Sequence, residues 1–395
     1  MTTPYRSVWA LALTLSLGAA VSLGITRFAY GLLLPAMRTD LGWSYTLAGA
    51  MNTANALGYF LGALLTPWLL KRVGASTLLW SGAFVASLFM ALSGFFTATE
   101  PLLVQRLLAG VASAWVFVAG GLMAARLGAQ HPAHGGLLLG LYYGGTGLGI
   151  VLSAVLVPWV LEQAGAQQHA WRWAWWLLAA ICVVASAALL WPARLMAQPP
   201  APAVSVPGAV PMRFRWRQFG FALAGYTLFG MGYIGYMTFV VALLREQGSS
   251  ALAVTVFYAL LGVAVMASSR IWAGLLDRHR GGGALARLNA LLGVATILPA
   301  LTQYWPVVLA SGLLFGAVFL SVVASTTALV RHNLPASAWA AGISAFTTVF
   351  AAGQIVGPTI VGWIADGPGG LARGLVVSAL ALWLGAGLAW RQRPL

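Results

Sequence analysis

Twelve apolar segments, each long enough to cross a lipid bilayer, divide this chain of 395 residues. A transmembrane helix needs about 20 apolar residues. The runs are continuous rather than alternating, which favours helices over a membrane β-barrel. The predicted spans are residues 8–36, 44–70, 75–97, 101–127, 135–161 and 172–192, then 218–243, 252–276, 284–302, 305–330, 337–364 and 371–390. These segments predict an all-α integral membrane protein.

The composition argues against a soluble fold. Hydrophobic residues make up 61% of the chain and charged residues only 7%, whereas an average soluble domain has about 25% charged residues. The net charge of +15 is spread over many short loops, while nucleic-acid binders gather basic residues on one surface. The sequence has no metal-ligand cluster and no phosphate-binding Gly-Lys-Ser/Thr loop. We therefore expect no enzyme activity, no bound metal, no other cofactor and no nucleic-acid partner.

The two halves of the chain repeat each other. At a constant offset of 206 positions Asp40 corresponds to Glu246, and far along the chain Gly147 still corresponds to Gly353. An offset held over more than a hundred residues indicates an internal duplication. We predict two pseudo-symmetric six-helix bundles, with six spans in each.

The predicted domains are an N-terminal bundle at 1–192, a linker rich in proline and alanine at 193–217, and a C-terminal bundle at 218–395. With the N-terminus inside, fourteen Lys and Arg residues fall on the inner side and four on the outer side. Short cytoplasmic loops carry an excess of these residues. Both termini and the linker are therefore predicted to be cytoplasmic.

Four local motifs resemble those of the major facilitator superfamily of transporters. They are Leu69-Leu70-Lys71-Arg72-Val73-Gly74, Arg106-Leu-Leu-Ala-Gly110, Gly274-Leu-Leu-Asp277-Arg278 and Gly353-Gln354-Ile-Val-Gly357-Pro358. In the first motif Lys71 stands where the family has an acid, so the usual gating contact of that acid is in doubt for the N-terminal half.

Two further stretches, Arg27-Phe28-Ala29-Tyr30-Gly31 and Tyr226-Thr-Leu-Phe-Gly230-Met-Gly232-Tyr233, resemble the YbfB/YjiJ-type bacterial branch of that superfamily. The resemblance implies twelve helices, a substrate site near the bilayer midplane and alternating access. It also implies a bacterial inner (plasma) membrane location. We expect a monomer.

Three arginines lie inside the predicted spans: Arg27, Arg106 and Arg270. A charge at the bilayer centre costs about 2.5–3.5 kcal/mol on insertion scales, so it usually serves a function. Since no Asp, Glu or Lys lies deep in any predicted span, Arg27 is predicted to face a cavity and bind an anionic substrate group. The alternative is hydrogen bonding to neighbouring helices. Arg106 is close enough to the outer face to reach Glu100 or headgroups, so its role is either structural or substrate binding.

Hydroxyls and amides facing lipid would lose hydrogen bonds, so polar stripes on the spans should face protein or water. The predicted substrate-binding residues, besides the two arginines, are Tyr30, Asn52, Asn55, Tyr142, Tyr143, Tyr233, Tyr236 and Gln354. In the superfamily, spans one, four, seven and ten line the substrate route, which favours Tyr233 and Tyr236. The alternative for each is interhelical packing.

Four charged residues near the predicted cytoplasmic ends of the spans are predicted to act in gating. They are Arg72, Arg270, Asp277 and Arg278. For Arg270 the alternative is a simple positive-inside signal.

The sequence thus predicts a secondary transporter for a small organic anion, with Arg27 as the binding charge. Two alternatives stay open: efflux of drugs or other lipophilic compounds, and a membrane sensor that transports nothing. Spans without a buried carboxylate or imidazole offer no ordinary proton carrier. A co-transported proton would then share the Arg27 site with the anion.

Overall fold

The computed structural model describes residues 5–197, 215–335 and 338–395, and every regular element in these ranges is a helix. The α-helices are α1 Tyr5–Ala19, α2 Tyr30–Leu41, α3 Tyr45–Ser93, α4 Thr99–Gln130, α5 Gly135–Ala164, α6 Trp171–Leu195, α7 Gly220–Glu246, α8 Ala251–Ile271, α9 Ala273–Arg278, α10 Gly283–Leu301, α11 Trp305–Asn333, α12 Trp339–Ala365 and α13 Gly370–Trp390. A π-helix occupies Ala20–Ile25, and short 3₁₀ turns lie at Pro132–His134 and Trp216–Phe219.

Eleven helical runs within the described ranges are long and apolar enough to cross a membrane. One of them, α3, has 49 residues and contains a non-helical residue, Gly74, with φ 80° and ψ 163°. At about 1.5 Å per residue such a helix is more than twice as long as a bilayer core of about 30 Å. It therefore supplies spans two and three, and Gly74 provides the left-handed backbone at the bend between them. The all-α fold predicted from the sequence is confirmed.

The first span differs from the single helix predicted over 8–36. It continues to Leu41, and its regular hydrogen bonding is interrupted between α1 and α2 by the π-helix and a turn. Hydropathy does not detect this interruption because the residues next to it on both sides are mostly apolar.

The eighth span, predicted as one helix over 252–276, is also interrupted. α8 ends at Ile271, and Trp272 has φ −106° and ψ 1° before α9 begins. The indole N–H of Trp272 donates to the carbonyl of Ala317 at 2.8 Å. This bond fixes the side chain at the bend, and the sequence gives no sign of it.

The chain forms two compact units. The first contains residues up to Gly42 together with Ala54–Pro202 and Ser250–Met266. The second contains Trp43–Thr53, Ala203–Ser249 and Ala267–Leu395. The first turns of α3 and most of α8 are thus grouped with the opposite half of the sequence. Division of the chain at the linker remains a prediction, and most of the predicted linker, 193–217, lies outside the described residues.

Close helix packing depends on glycine in both units. A Cβ at Gly145 in α5 would collide with the carbonyl oxygen of Ser16 in α1, and one at Gly353 in α12 would collide with that of Thr227 in α7. Small residues let membrane helices approach closely enough for van der Waals packing. The helix pairs that carry the candidate residues are therefore in backbone contact.

Candidate functional site

Arg27 lies at the interruption of the first span. In the π-helix Ala20–Ile25 the chain makes wider turns, and the amide of Thr26 donates to the carbonyl of Val21 at 3.0 Å instead of to the residue four positions back. The hydroxyl of Thr26 donates to the same carbonyl at 2.6 Å. Single π-turns are rare in proteins, and those that do occur are often found at functional sites. The predicted binding residue, Arg27, therefore directly follows this π-turn.

Neighbouring helices hold this interruption in place. A Cβ at Gly24 would lie 2.6 Å from the carbonyl oxygen of Thr146 and 2.7 Å from the Cα of Gly149, both in α5. On another side, the hydroxyl of Ser113 in α4 donates to the carbonyl of Ser22 at 2.9 Å. The π-helix is therefore fixed by backbone contact with α5 and by a hydrogen bond from α4.

Arg27 is buried, with 3% of its surface exposed. Its guanidinium carbon lies 5.6 Å from the centre of the Tyr59 ring in α3, within range of a cation–π interaction. A guanidinium has five N–H donors in a planar fork that matches a carboxylate or a phosphate. Arg27 thus combines burial, a contact with the Tyr59 ring and the planar donor geometry that suits an anion.

Arg106 does not reach Glu100 or the headgroups, and that expectation is wrong. Its side chain is 3% exposed, and Nη1 donates to the carbonyl of Thr26 at 2.6 Å. The guanidinium carbon lies 4.9 Å from the ring centre of Tyr30 and 5.8 Å from that of Trp175. The side chain is drawn inward because the interrupted span offers it a carbonyl and two aromatic faces.

We call this group of side chains the arginine cluster; its members are Arg27, Tyr30, Tyr59, Arg106 and Trp175. Three of them were predicted as substrate-binding residues, whereas Tyr59 and Trp175 were not. A fourth predicted residue, Asn55, adjoins the cluster and donates from Nδ2 to the carbonyl of Arg106 at 3.0 Å. The first unit thus brings together predicted residues from spans one, two and four.

Tyr142 and Tyr143 differ in environment although they are adjacent in α5. Tyr142 is fully buried, and its hydroxyl donates to the carbonyl of Phe117 at 2.7 Å. Tyr143 is 37% exposed. The ring of Phe117 contacts both tyrosines, at centroid distances of 5.9 and 5.5 Å. The contacts of Tyr142 are those of a packing residue, while Tyr143 has surface available for a ligand.

Asn52, predicted on one stripe with Asn55, belongs to the second unit. Its Nδ2 donates to the hydroxyl of Thr238 in α7 at 2.8 Å. The two asparagines therefore donate to different helices, Asn52 to α7 and Asn55 to α4.

Tyr233 lies in a stack of aromatic rings in the second unit. Its ring centre is 4.9 Å from Phe229, 5.6 Å from Phe350 and 6.0 Å from Phe319, with interplanar angles of 20° or less. We call these four residues the aromatic stack. Gln354, 4% exposed, lies one turn beyond Phe350 in α12. The stack offers apolar ring faces and no formal charge.

Tyr236 has its own hydrogen-bond partner. The hydroxyls of Tyr236 and Ser311 lie 2.7 Å apart, and Ser311 in turn donates to the carbonyl of Ala295 at 2.7 Å. The ring of Tyr236 stacks on Phe315 with centres 4.0 Å apart. These contacts link α7, α11 and α10, so they account for Tyr236 as a packing residue.

The four predicted gating residues are exposed. Arg72 lies just before the bend of α3, with its guanidinium 4.4 Å from the ring centre of Trp68. Arg270 lies in the last turn of α8, and Asp277 and Arg278 lie in α9. The gating role itself remains a prediction.

A contact that sequence reasoning missed is made by Asp366 at the end of α12. One carboxylate oxygen accepts from the amide of Tyr45 at 2.6 Å, and the other accepts from the amide and the hydroxyl of Thr46 at 2.8 and 2.6 Å. The hydroxyl of Tyr45 also donates to Glu246. The available signal was an acid directly after span eleven, but its partners are main-chain amides, which no sequence motif marks.

The fold is shared with solved structures of transporters. A bacterial homologue of the human lysosomal transporter Spinster, inward-facing and unoccupied, superposes with a TM-score of 0.74 at 15% identity, over 99% of this chain and 97% of that chain. The nucleoside transporter NupG, in a mutant form, gives a TM-score of 0.71 at 12% identity, over 96% and 98%. At these identities the likeness shows the fold alone. Among curated proteins, none matches the chain significantly.

The sequence profile of a family described as uncharacterised MFS-type transporter YbfB matches residues 19–390, which is nearly the whole chain. Members of this superfamily are multi-pass membrane proteins that move small molecules by alternating access and are not enzymes. The predicted superfamily, the YbfB-type branch and the transporter class are thereby confirmed. The chain belongs to the YbfB-type family of major facilitator transporters.

Proposed function

We propose that this transporter carries a small organic anion and that Arg27 binds the anionic group. The observation that carries the proposal is the burial of two guanidinium groups, Arg27 and Arg106, at one interruption of the first span. Each charge inside a span costs about 2.5–3.5 kcal/mol on insertion scales. An anionic substrate offsets this cost when it binds, and it needs no metal or other cofactor to do so.

The two arginines have separate roles in this proposal. Arg106 is a positioning residue, because its hydrogen bond to Thr26 fixes the backbone one residue before Arg27. Arg27 is the binding residue, because its ring contact with Tyr59 orients a guanidinium whose planar fork matches a carboxylate or a phosphate. Tyr143 is the nearby aromatic residue with exposed surface, and we propose it as a further contact.

Transport in proteoliposomes tests the proposal. The purified protein is reconstituted and screened for uptake of labelled small carboxylates and phosphates. We expect Arg27→Gln to reduce uptake of the responsive anion by at least about tenfold, since a charge-assisted hydrogen bond contributes about 1.5–3 kcal/mol. Arg27→Lys keeps the charge but loses the planar fork, so we expect a partial loss.

The matched control is Arg194→Gln, which removes an exposed guanidinium from the last turn of α6 in the same unit. It should transport like the unchanged protein. Reconstitution of all variants is checked by size-exclusion chromatography and by recovered protein. Normal anion uptake by Arg27→Gln would contradict the proposal.

Proton co-transport is a second part of the proposal, with the proton and the anion sharing the Arg27 site. The same liposomes are assayed with and without an inward pH gradient. Coupling predicts faster accumulation with the gradient and loss of that difference after a protonophore is added. Equal uptake in both conditions would assign the protein to uniport.

A second candidate function, efflux of lipophilic compounds, is favoured by the aromatic stack. Four ring faces without a formal charge suit an apolar or cationic compound. Binding of a lipophilic cation to the purified protein separates the two functions. Binding that is lost in Tyr233→Ala and kept in Arg27→Gln would favour efflux over anion transport.

We propose a bacterial inner-membrane location, with both termini in the cytoplasm, and a monomer as the transporting unit. In this orientation Arg72, Arg270, Asp277 and Arg278 lie at the cytoplasmic ends of their helices, where we propose that they act in gating. The basic loops support this orientation through the positive-inside rule.

A further inference from the structure

A cavity of about 450 Å³ lies in the first unit where α5 ends and α6 begins. Three indoles line it, from Trp159, Trp173 and Trp176, together with the side-chain amides of Gln163 and Gln167. Its other lining residues are aliphatic, and all of the lining residues are among those described. Ligand cavities in proteins measure about 300–1,000 Å³. The recess is therefore large enough for a small chemical group, and its lining carries no formal charge.

The position of the cavity indicates which molecules can reach it. Trp159 and Trp173 are 54% and 53% exposed, and they lie within about one and a half turns of the ends of membrane-spanning helices. Tryptophan is enriched at this level of a bilayer, where one part of the indole meets lipid tails and another meets headgroups. A single exposed indole needs no further explanation, but three indoles and two amides around one recess form a defined site.

The rings around this cavity are arranged in a corner. Trp173 and Trp176 have ring centres 5.1 Å apart and planes at 89° to each other. A Cβ at Gly94 would collide with Nε1 of Trp176, so the nitrogen edge of that indole points at the end of α3. Trp176 consequently offers the cavity its carbon ring rather than its N–H group.

We propose that this cavity binds the ammonium headgroup of a phospholipid in the adjacent leaflet. The faces of indole rings attract cations, and tryptophan does so best among aromatic residues. The amides of Gln163 and Gln167 can donate to phosphate and ester oxygens. Glu162, next to Gln163, and Arg172, next to Trp173, add one negative and one positive charge at these helix ends, which suits a headgroup that carries both signs. An ammonium beside a phosphate fits this combination, and the predicted orientation makes it a lipid of the outer leaflet.

Native mass spectrometry of the full chain with defined lipids tests the proposal. The protein is incubated with an equimolar mixture of phosphatidylethanolamine and phosphatidylglycerol that have identical acyl chains. We expect Trp173→Leu to weaken binding of phosphatidylethanolamine by about three- to tenfold and to leave that of phosphatidylglycerol unchanged. Leucine preserves an apolar surface, so only the cation-binding ring is removed.

The matched control is Trp363→Leu near the end of α12, where the indole is 70% exposed and lies outside the cavity. It should change the binding of neither lipid. An equal loss of both lipids in Trp173→Leu would show that the recess holds acyl chains only, and no change would show an ordinary interfacial tryptophan. Either result overturns the proposal. If Trp173→Leu does not fold, the test uses the unchanged protein with a competing lipid that has a choline headgroup. This lipid must displace phosphatidylethanolamine. If it does not, the proposal is also overturned.

Discussion

Arg106 shows that a charged side chain inside a membrane span can act on the backbone. Its guanidinium donates to the carbonyl of Thr26 and contacts the rings of Tyr30 and Trp175. Irregular backbone at membrane depth is tolerated only where neighbouring groups satisfy it. The charge of Arg106 therefore stabilises the interruption in the first span.

We expect Arg106→Lys to destabilise the protein although the charge is kept. Lysine lacks the planar group that contacts both rings and donates in a fixed direction. Loss of the charged hydrogen bond costs about 1.5–3 kcal/mol. Thermal unfolding in detergent should show a lower midpoint for Arg106→Lys and an unchanged one for the exposed control Arg194→Lys. An unchanged midpoint for Arg106→Lys would contradict the positioning role.

At the scale of secondary structure, the start of α3 depends on a carboxylate from another helix. The first amides of a helix have no partner within it, and Asp366 accepts the bonds of Tyr45 and Thr46. A negative charge at a helix N-terminus is also favoured by the helix dipole. The end of α12 thus completes the first turn of α3 inside the second unit.

Asp366→Asn should loosen this contact. The carboxylate gives each of the two amides its own acceptor oxygen, whereas an asparagine side chain has only one acceptor oxygen. We expect the N-terminal end of α3 to open more often. The measurement is the reaction rate of Met51→Cys, a fully buried position in α3, with a membrane-impermeant thiol reagent in a Cys182→Ala background. The rate should rise about tenfold, which corresponds to about 1.4 kcal/mol. Glu100→Gln, an exposed acid on α4, is the control, and equal rates in both variants would refute the prediction.

Most helices could be predicted from the sequence because their signal is local. Continuous apolar runs locate the spans, and the bend at Gly74 falls where two predicted spans meet. The interruptions at Thr26 and at Trp272 could not be predicted. Each lies beside a contact with a distant segment, of Gly24 with Thr146 and of Trp272 with Ala317, which no local pattern marks.

The candidate site was partly predictable for the same reason. An arginine in an apolar run is visible in the sequence, so Arg27 and Arg106 were found. The rings that flank them, Tyr59 and Trp175, come from other helices and follow no local pattern. Among the aromatic candidates, spacing alone could not distinguish Tyr236, which is bonded to Ser311, from Tyr143, which has exposed surface.

At the scale of the whole molecule, the sequence repeat and the compact units do not coincide. The segments 43–53 and 250–266 are grouped with the opposite half of the sequence, and at the offset of 206 the first corresponds to 249–259, so the two overlap under the repeat. In each half of the duplicated sequence, therefore, one segment is grouped with the unit that contains most of the other half. Each unit contains segments from both halves of the sequence.

The predicted orientation has a direct test that uses the single cysteine of the chain. Cys182 is fully buried, so Cys182→Ala gives a background without thiols. In intact cells an impermeant maleimide should label Gln167→Cys, in the loop before α6, and should not label Arg393→Cys near the C-terminus. Permeabilised cells should show both labels. Labelling of Arg393→Cys alone in intact cells would reverse the orientation.

The Asp366 contact also bears on how related sequences can diverge. The amides of Tyr45 and Thr46 both donate to the carboxylate, and every residue except proline possesses such an amide. Substitutions at Tyr45 and Thr46 can therefore accumulate while the carboxylate keeps its bonds to these two amides. Covariation between these positions should be weak, and proline at either amide should be the replacement that relatives avoid.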